Sequence, residues 1–88
     1  MNIIVKAESR DIFIDPVSIC YSYAGSIFVK MATGDTYVVA DKHTKKIVEK
    51  AMDLIFERLK KAATTTPGIH KNMVIIDISK IIAEAKEV

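Results

Sequence analysis

At Asp41 the apolar period of this chain changes from two to about 3.6 residues, and that change calls for a sheet first and a helix second. Up to residue 40, apolar and polar residues alternate between turn signals, the pattern of an antiparallel meander. Ile3 and Val5 take one face of a first strand, Ile4 and Lys6 the other. Glu8, Ser9, Arg10 and Asp11 turn the chain into a second strand, Ile12 to Ile14. Asp15 and Pro16 end it, because proline has no N–H for the ladder. The alternation is cleanest from Val17 onward, with Ile19, Tyr21 and Tyr23 on the same side and Ser18, Cys20 and Ser22 opposite, a half-buried strand. Gly25 provides a turn or bulge before Ile27, Val29 and Met31, which have Phe28 and Lys30 opposite them. Thr33 and Gly34 turn the chain into Tyr37, Val38 and Val39.

Beyond Asp41, residues Ile47, Val48, Ala51, Met52, Ile55, Leu59 and Ala62 share one helical face, and Lys46, Glu49, Lys50, Asp53, Glu57, Lys60 and Lys61 the other. The spacing predicts a helix over 42–63 with Asp41 or Thr44 as its N-cap. Leu54 and Phe56 flank the stripe and widen the apolar arc to roughly half the circumference, more than a helix on a small sheet needs. Thr64 to Asn72 reads as a polar loop with a Pro67-Gly68 turn. Met73 to Ile78 reads as a strand apolar on both faces, and Ser79 as the cap of a short final helix bearing Ile81, Ile82, Ala85 and Val88. Nine residues are too few for an isolated helix, so this segment must dock. The expected fold is α+β over residues 1–88: a meander at 1–40, an antiparallel sheet of about five strands, the helix 42–63 across one face, and a C-terminal strand-helix arm at 73–88.

The order of the first sixty residues resembles the FlbD-like small flagellar-operon proteins. The matching residues are Ile12-Phe13-Ile14-Asp15, Ile27-Phe28-Val29-Lys30-Met31, Gly34, Tyr37-Val38-Val39 and Ile47-Val48-Glu49-Lys50. The spacing before Ile47 is one residue off that pattern, and residues 64–88 have no counterpart in it. The resemblance implies a hairpin, a break, a second hairpin and an amphipathic helix in that order, and brings no catalytic motif with it.

An 88-residue chain suits one core, yet half its residues are apolar, so some apolar surface is expected to be covered by another chain. No run approaches the ~18 apolar residues of a membrane span, and Met1 to Arg10 lacks the order of a signal peptide, so a cytoplasmic protein with no membrane partner is expected. Cys20 is the only cysteine, which rules out an internal disulfide. Thirteen basic against eleven acidic residues give a formal charge of +2, too weak to demand nucleic acid.

Chemistry-bearing residues are sparse. His43 and His70, the only histidines, have no cysteine pair or clustered carboxylates at ligand spacing and read as solvent-facing, so no metal and no cofactor are expected. Cys20 lies in mid-strand, where a small, partly buried thiol is the ordinary case, and Asp77 reads as a solvent-facing strand end or a contributor to the cap at Ser79. Gly25, Gly34 and Gly68 are isolated and make no phosphate loop. No catalytic residue is assigned. The expected function is a non-enzymatic protein-binding domain, a regulator, inhibitor or structural adaptor that forms a homodimer or higher oligomer and also binds an unidentified protein. Its expected interface residues are Leu54, Phe56, Tyr21, Tyr23, Met73 and Ile76, with the C-terminal arm able to stay in its own sheet or cross to a neighbour's. The alternative is a binder of nucleic acid, nucleotide or phosphate at the basic helix start, using Lys42, Thr44, Lys45 and Lys46, with Lys60 and Lys61 adding charge.

Overall fold

The computed structural model of the chain describes residues 2–64 and 73–87. Its elements are β1 (Asn2–Lys6), β2 (Ile12–Ile14), β3 (Ser18–Ser22), β4 (Ser26–Lys30), β5 (Thr36–Ala40), α1 (Lys45–Thr64), β6 (Met73–Asp77) and α2 (Ile78–Lys86). The class is α+β, as the change of period requires. The sheet, however, is not one meander of five strands but two sheets of three, in the orders β2-β1-β6 and β3-β4-β5.

Asp15 accounts for the division. It has a positive φ of 51°, its backbone N–H donates to the Ile3 carbonyl at 2.7 Å, and its carboxylate accepts from the Ile3 N–H at 2.7 Å. The turn is thereby pinned to β1, and Pro16 cannot donate onward. Val17 then pairs elsewhere, donating to the Lys30 carbonyl at 2.8 Å. β6 joins the first sheet on the other side of β1 and runs parallel to it, Ile3 facing Val74 and Val5 facing Ile76. The first sheet is therefore mixed, with β1 central. β6, apolar on both faces, is an edge strand among the described residues.

The first helix starts at Lys45 rather than at 42, because Lys42 has a φ of 61° and cannot begin a helix. Of the two expected caps, Asp41 and Thr44, it is Thr44 that serves, its hydroxyl accepting from the Ile47 N–H at 3.2 Å and its carbonyl from the Val48 N–H at 3.0 Å. For α2 the cap is Asp77 and not Ser79: the Asp77 side chain accepts from the Lys80 N–H at 3.3 Å, so the strand passes into the helix with no linker. The expected loop 64–72 beyond its first residue, with its Pro67-Gly68 turn and His70, and the terminal Val88 lie outside the described residues.

The core follows the two periods. Val5, Ile27, Val29, Val39, Val48, Ile55, Ile76, Ile78 and Ile81 are fully buried, drawn from both sheets and both helices. α2 docks by Ile78, Ile81, Ile82 and Ala85, which answers its need for a support. An ion pair between Arg58 and Glu84 joins the two helices at their rim. Both partners are more than a third exposed, so Arg58→Ala should cost at most about 1 kcal/mol. A urea titration giving a loss above about 2 kcal/mol would show that the pair does more than close a rim.

Candidate protein-binding surfaces

The strand register builds an apolar face on the outside of the first sheet. Ile14, Ile4 and Ile75 lie in one row across its three strands, Ile12 flanks Lys6 and Asp77 in the next, and Met73 lies beside Asn2. Ile12, Ile14 and Ile75 are each 61% exposed and Met73 54%. Their inward neighbours Val5 and Ile76 are fully buried. Sequence reasoning named only Met73 here. The signal was present in the runs Ile3-Ile4-Val5, Ile12-Phe13-Ile14 and Val74-Ile75-Ile76, where both parities are apolar although only one can face the core.

A second apolar surface lies where the outer edge of β3 meets α1. Phe56 is 67% and Val17 62% exposed, at a cavity of about 190 Å³ whose walls include Ile3, Pro16, Ile19, Met52 and Leu59. Near the other end of β3, the Tyr21 and Tyr23 rings meet edge-on at 6.0 Å. The Lys45 ammonium stands 4.6 Å from the centre of the Tyr23 ring and 3.8 Å from the Glu49 carboxylate.

Of the six expected interface residues, one is fully buried and one partly so. Ile76 is wholly buried on the inner face of β6, because the period of two gives the outer face to Ile75. Leu54 is half-buried against the core, on the side of α1 where it shares a groove with Glu84 of α2. The two margins of the helix's apolar arc thus have different fates: α2 flanks the Leu54 side, while Phe56 stays open.

Of the four residues expected to gather an anion, Thr44 and Lys46 border one cavity with Lys50 and Lys86, and Lys45 and Lys46 border another with Glu49. The Thr44 hydroxyl is engaged in capping, Lys45 is engaged by Tyr23 and Glu49, and the Lys42 backbone N–H donates to the Asp41 carboxylate at 2.9 Å. His43 is not solvent-facing: its side chain is only 11% exposed, with Nε2 at 3.0 Å from both oxygens of Glu8. Glu8 also accepts from the Asp41 N–H at 3.2 Å. Cys20 is exposed, and among the described residues no three His, Cys, Asp or Glu side chains are grouped as a metal ion would need.

The network around Asp41 ties the end of β5 to the start of α1. The nearly buried Ser26 hydroxyl donates to the Asp41 carboxylate at 2.7 Å. That bond, followed by the one from the Lys42 N–H, holds the Asp41 carboxyl below its ordinary value. A carboxyl depressed on folding contributes stability that is present above its unfolded value and lost as pH falls through the folded one. The difference in melting temperature between wild type and Ser26→Ala should therefore be widest at neutral pH and narrow on acidification below the usual carboxylate range. A difference independent of pH would show that the Ser26 bond does not depend on the Asp41 charge.

These features describe a small two-sheet α+β fold that carries two exposed apolar areas on an otherwise largely polar surface. No family model, curated protein or solved structure matches the chain. Among the described residues no helix is long and apolar enough to cross a membrane.

Proposed function

We propose that the chain is a non-enzymatic protein-binding domain that works as a homo-oligomer and acts on another protein as a regulator, inhibitor or structural adaptor. The observation that supports this most is the isoleucine row on the outside of the first sheet. Single exposed apolar residues are ordinary on any protein, but Ile12, Ile14, Ile75 and Met73 are contiguous and each more than half exposed. Together they offer on the order of a few hundred Å² of apolar surface, the size at which a patch on a small protein is commonly a binding site. Val17, Tyr23 and Phe56 add a second such area at the β3 edge.

Association stabilises the folded chain by mass action, so the melting temperature of an oligomer depends on protein concentration. Thermal unfolding by circular dichroism over a roughly hundredfold range of concentration should show the midpoint rising by several degrees. A midpoint that stays constant over that range would remove self-association from the proposed function.

A further inference from the structure

The edge strands of the two sheets are guarded unequally. β2 is only three residues long. The free side of β5 is partly engaged by the Glu8 N–H, which donates to the Val39 carbonyl at 2.9 Å. β6 carries Asp77 at its end and passes directly into α2. β3 has none of these guards: it is five residues long, Ser-Ile-Cys-Tyr-Ser, with no charge and no proline, and among the described residues nothing pairs with its outer side. An uncharged edge with free N–H and C=O groups is a template for another strand.

We propose that β3 is the dimerisation edge, pairing antiparallel with β3 of a second copy to make one continuous sheet of six strands. This rests on the self-association put forward above and names the surface that carries it. Three observations favour a second copy as the occupant. The first is charge: an edge with no ionised side chain meets its own copy without repulsion. The second is the placement of the apolar side chains. Phe56 and Val17 stand near the beginning of β3, and Tyr21 and Tyr23 near its end. A two-fold axis through the middle of the strand brings the beginning of one copy to the end of the other, so Phe56 of each subunit meets the tyrosine pair of its partner. The patch is then self-complementary, as a two-fold interface must be.

The third is area. Phe56, Tyr23 and Tyr21 are 67%, 74% and 39% exposed. At roughly 200 Å² for each aromatic side chain they offer about 350 Å² per subunit. With Val17 and the strand edge itself, this reaches the roughly 500 Å² per partner that a biological interface must clear.

In the register that pairs all five residues, Cys20 at the centre of β3 lies directly opposite its own copy. Antiparallel neighbours have Cα atoms about 4.5 to 5.5 Å apart, within the range a disulfide spans. The test uses the whole chain. Light scattering should give wild type the mass of two chains, and Phe56→Glu, a change at an exposed position, should raise the dimer dissociation constant at least tenfold while leaving the circular dichroism spectrum intact. Tyr23→Glu, at a still more exposed position, should act in the same direction, and Lys80→Glu, at an exposed position on α2, should leave the mass unchanged. Mild oxidation with copper-phenanthroline should give a covalent dimer that dithiothreitol reverses and Cys20→Ser abolishes. A wild type with the mass of one chain would overturn both this surface and the proposed self-association. A wild type with the mass of two chains that forms no Cys20 cross-link, or that survives Phe56→Glu unchanged, would overturn the β3 edge alone.

Discussion

Alanine at Gly25 is expected to destabilise the fold by about 3 to 5 kcal/mol, combining left-handed backbone strain with a forced main-chain shift. Gly25 has a φ of 95°, and a Cβ built there would lie 1.8 Å from the carbonyl oxygen of His43 and 2.9 Å from its carbonyl carbon. Both are backbone atoms and cannot rotate aside. They are also held in place, since the His43 N–H donates to the Gly25 carbonyl at 3.1 Å and the His43 ring is fixed by Glu8. A domain of this size is stable by roughly 0.05 to 0.15 kcal/mol per residue, so the loss is a large part of the whole. At about 4 to 8 °C per kcal/mol, the melting temperature should fall by ~15 °C or more. Gly34 is the internal control: it has the same φ of 95° but nothing within 4 Å of a built Cβ. Gly34→Ala should cost only the backbone strain, about 1 to 2 kcal/mol. Equal losses at the two glycines would mean that the approach of Gly25 to His43 is not as close as described.

The second large effect contrasts two neighbours in β6. Ile76→Asp places a carboxylate at a position with 0% exposure, on the inner face opposite Val5. A buried, unpaired charge and the loss of a core isoleucine together cost more than about 5 kcal/mol, enough to leave a domain of this size unfolded. Ile75→Asp, one residue earlier, projects from the outer face, where Ile75 is 61% exposed. It should retain the wild-type far-ultraviolet spectrum and lose no more than about 1 kcal/mol, as exposed substitutions do. Urea unfolding of the two variants checks the register of β6 on β1. A stable Ile76→Asp beside an unfolded Ile75→Asp would place the strand one residue out of register, with its faces exchanged.

What the sequence made legible was local. The strands, the amphipathic helix and the docking of the final helix follow from spacing that any window of ten residues displays, and so does the inward set Val48, Ala51, Met52 and Ile55. The division into two sheets was not legible, because alternation shows that Val17 begins a strand but not which strand it joins. The turn that decides it depends on Asp15 reaching back twelve positions to Ile3. The parallel pairing of β1 with β6 joins the two ends of the chain, and the histidine hidden by Glu8 lies 35 positions away from it. The surface was half legible. Excess apolar width on the helix was visible in Leu54 and Phe56, but only the packed structure shows that α2 flanks one of them and leaves the other open. The isoleucine face is hidden in the sequence because apolar residues on both parities of β6 equally suit a central or interface strand, whereas here one parity fills the core and the other meets solvent.

Sedimentation equilibrium of the wild-type chain tests most directly whether these open apolar surfaces serve association. At concentrations from about one to one hundred micromolar, the expected result is a mass of twice the 9.8 kDa chain, or a reversible approach to it as concentration rises. A mass of one chain throughout that range would contradict the homo-oligomer.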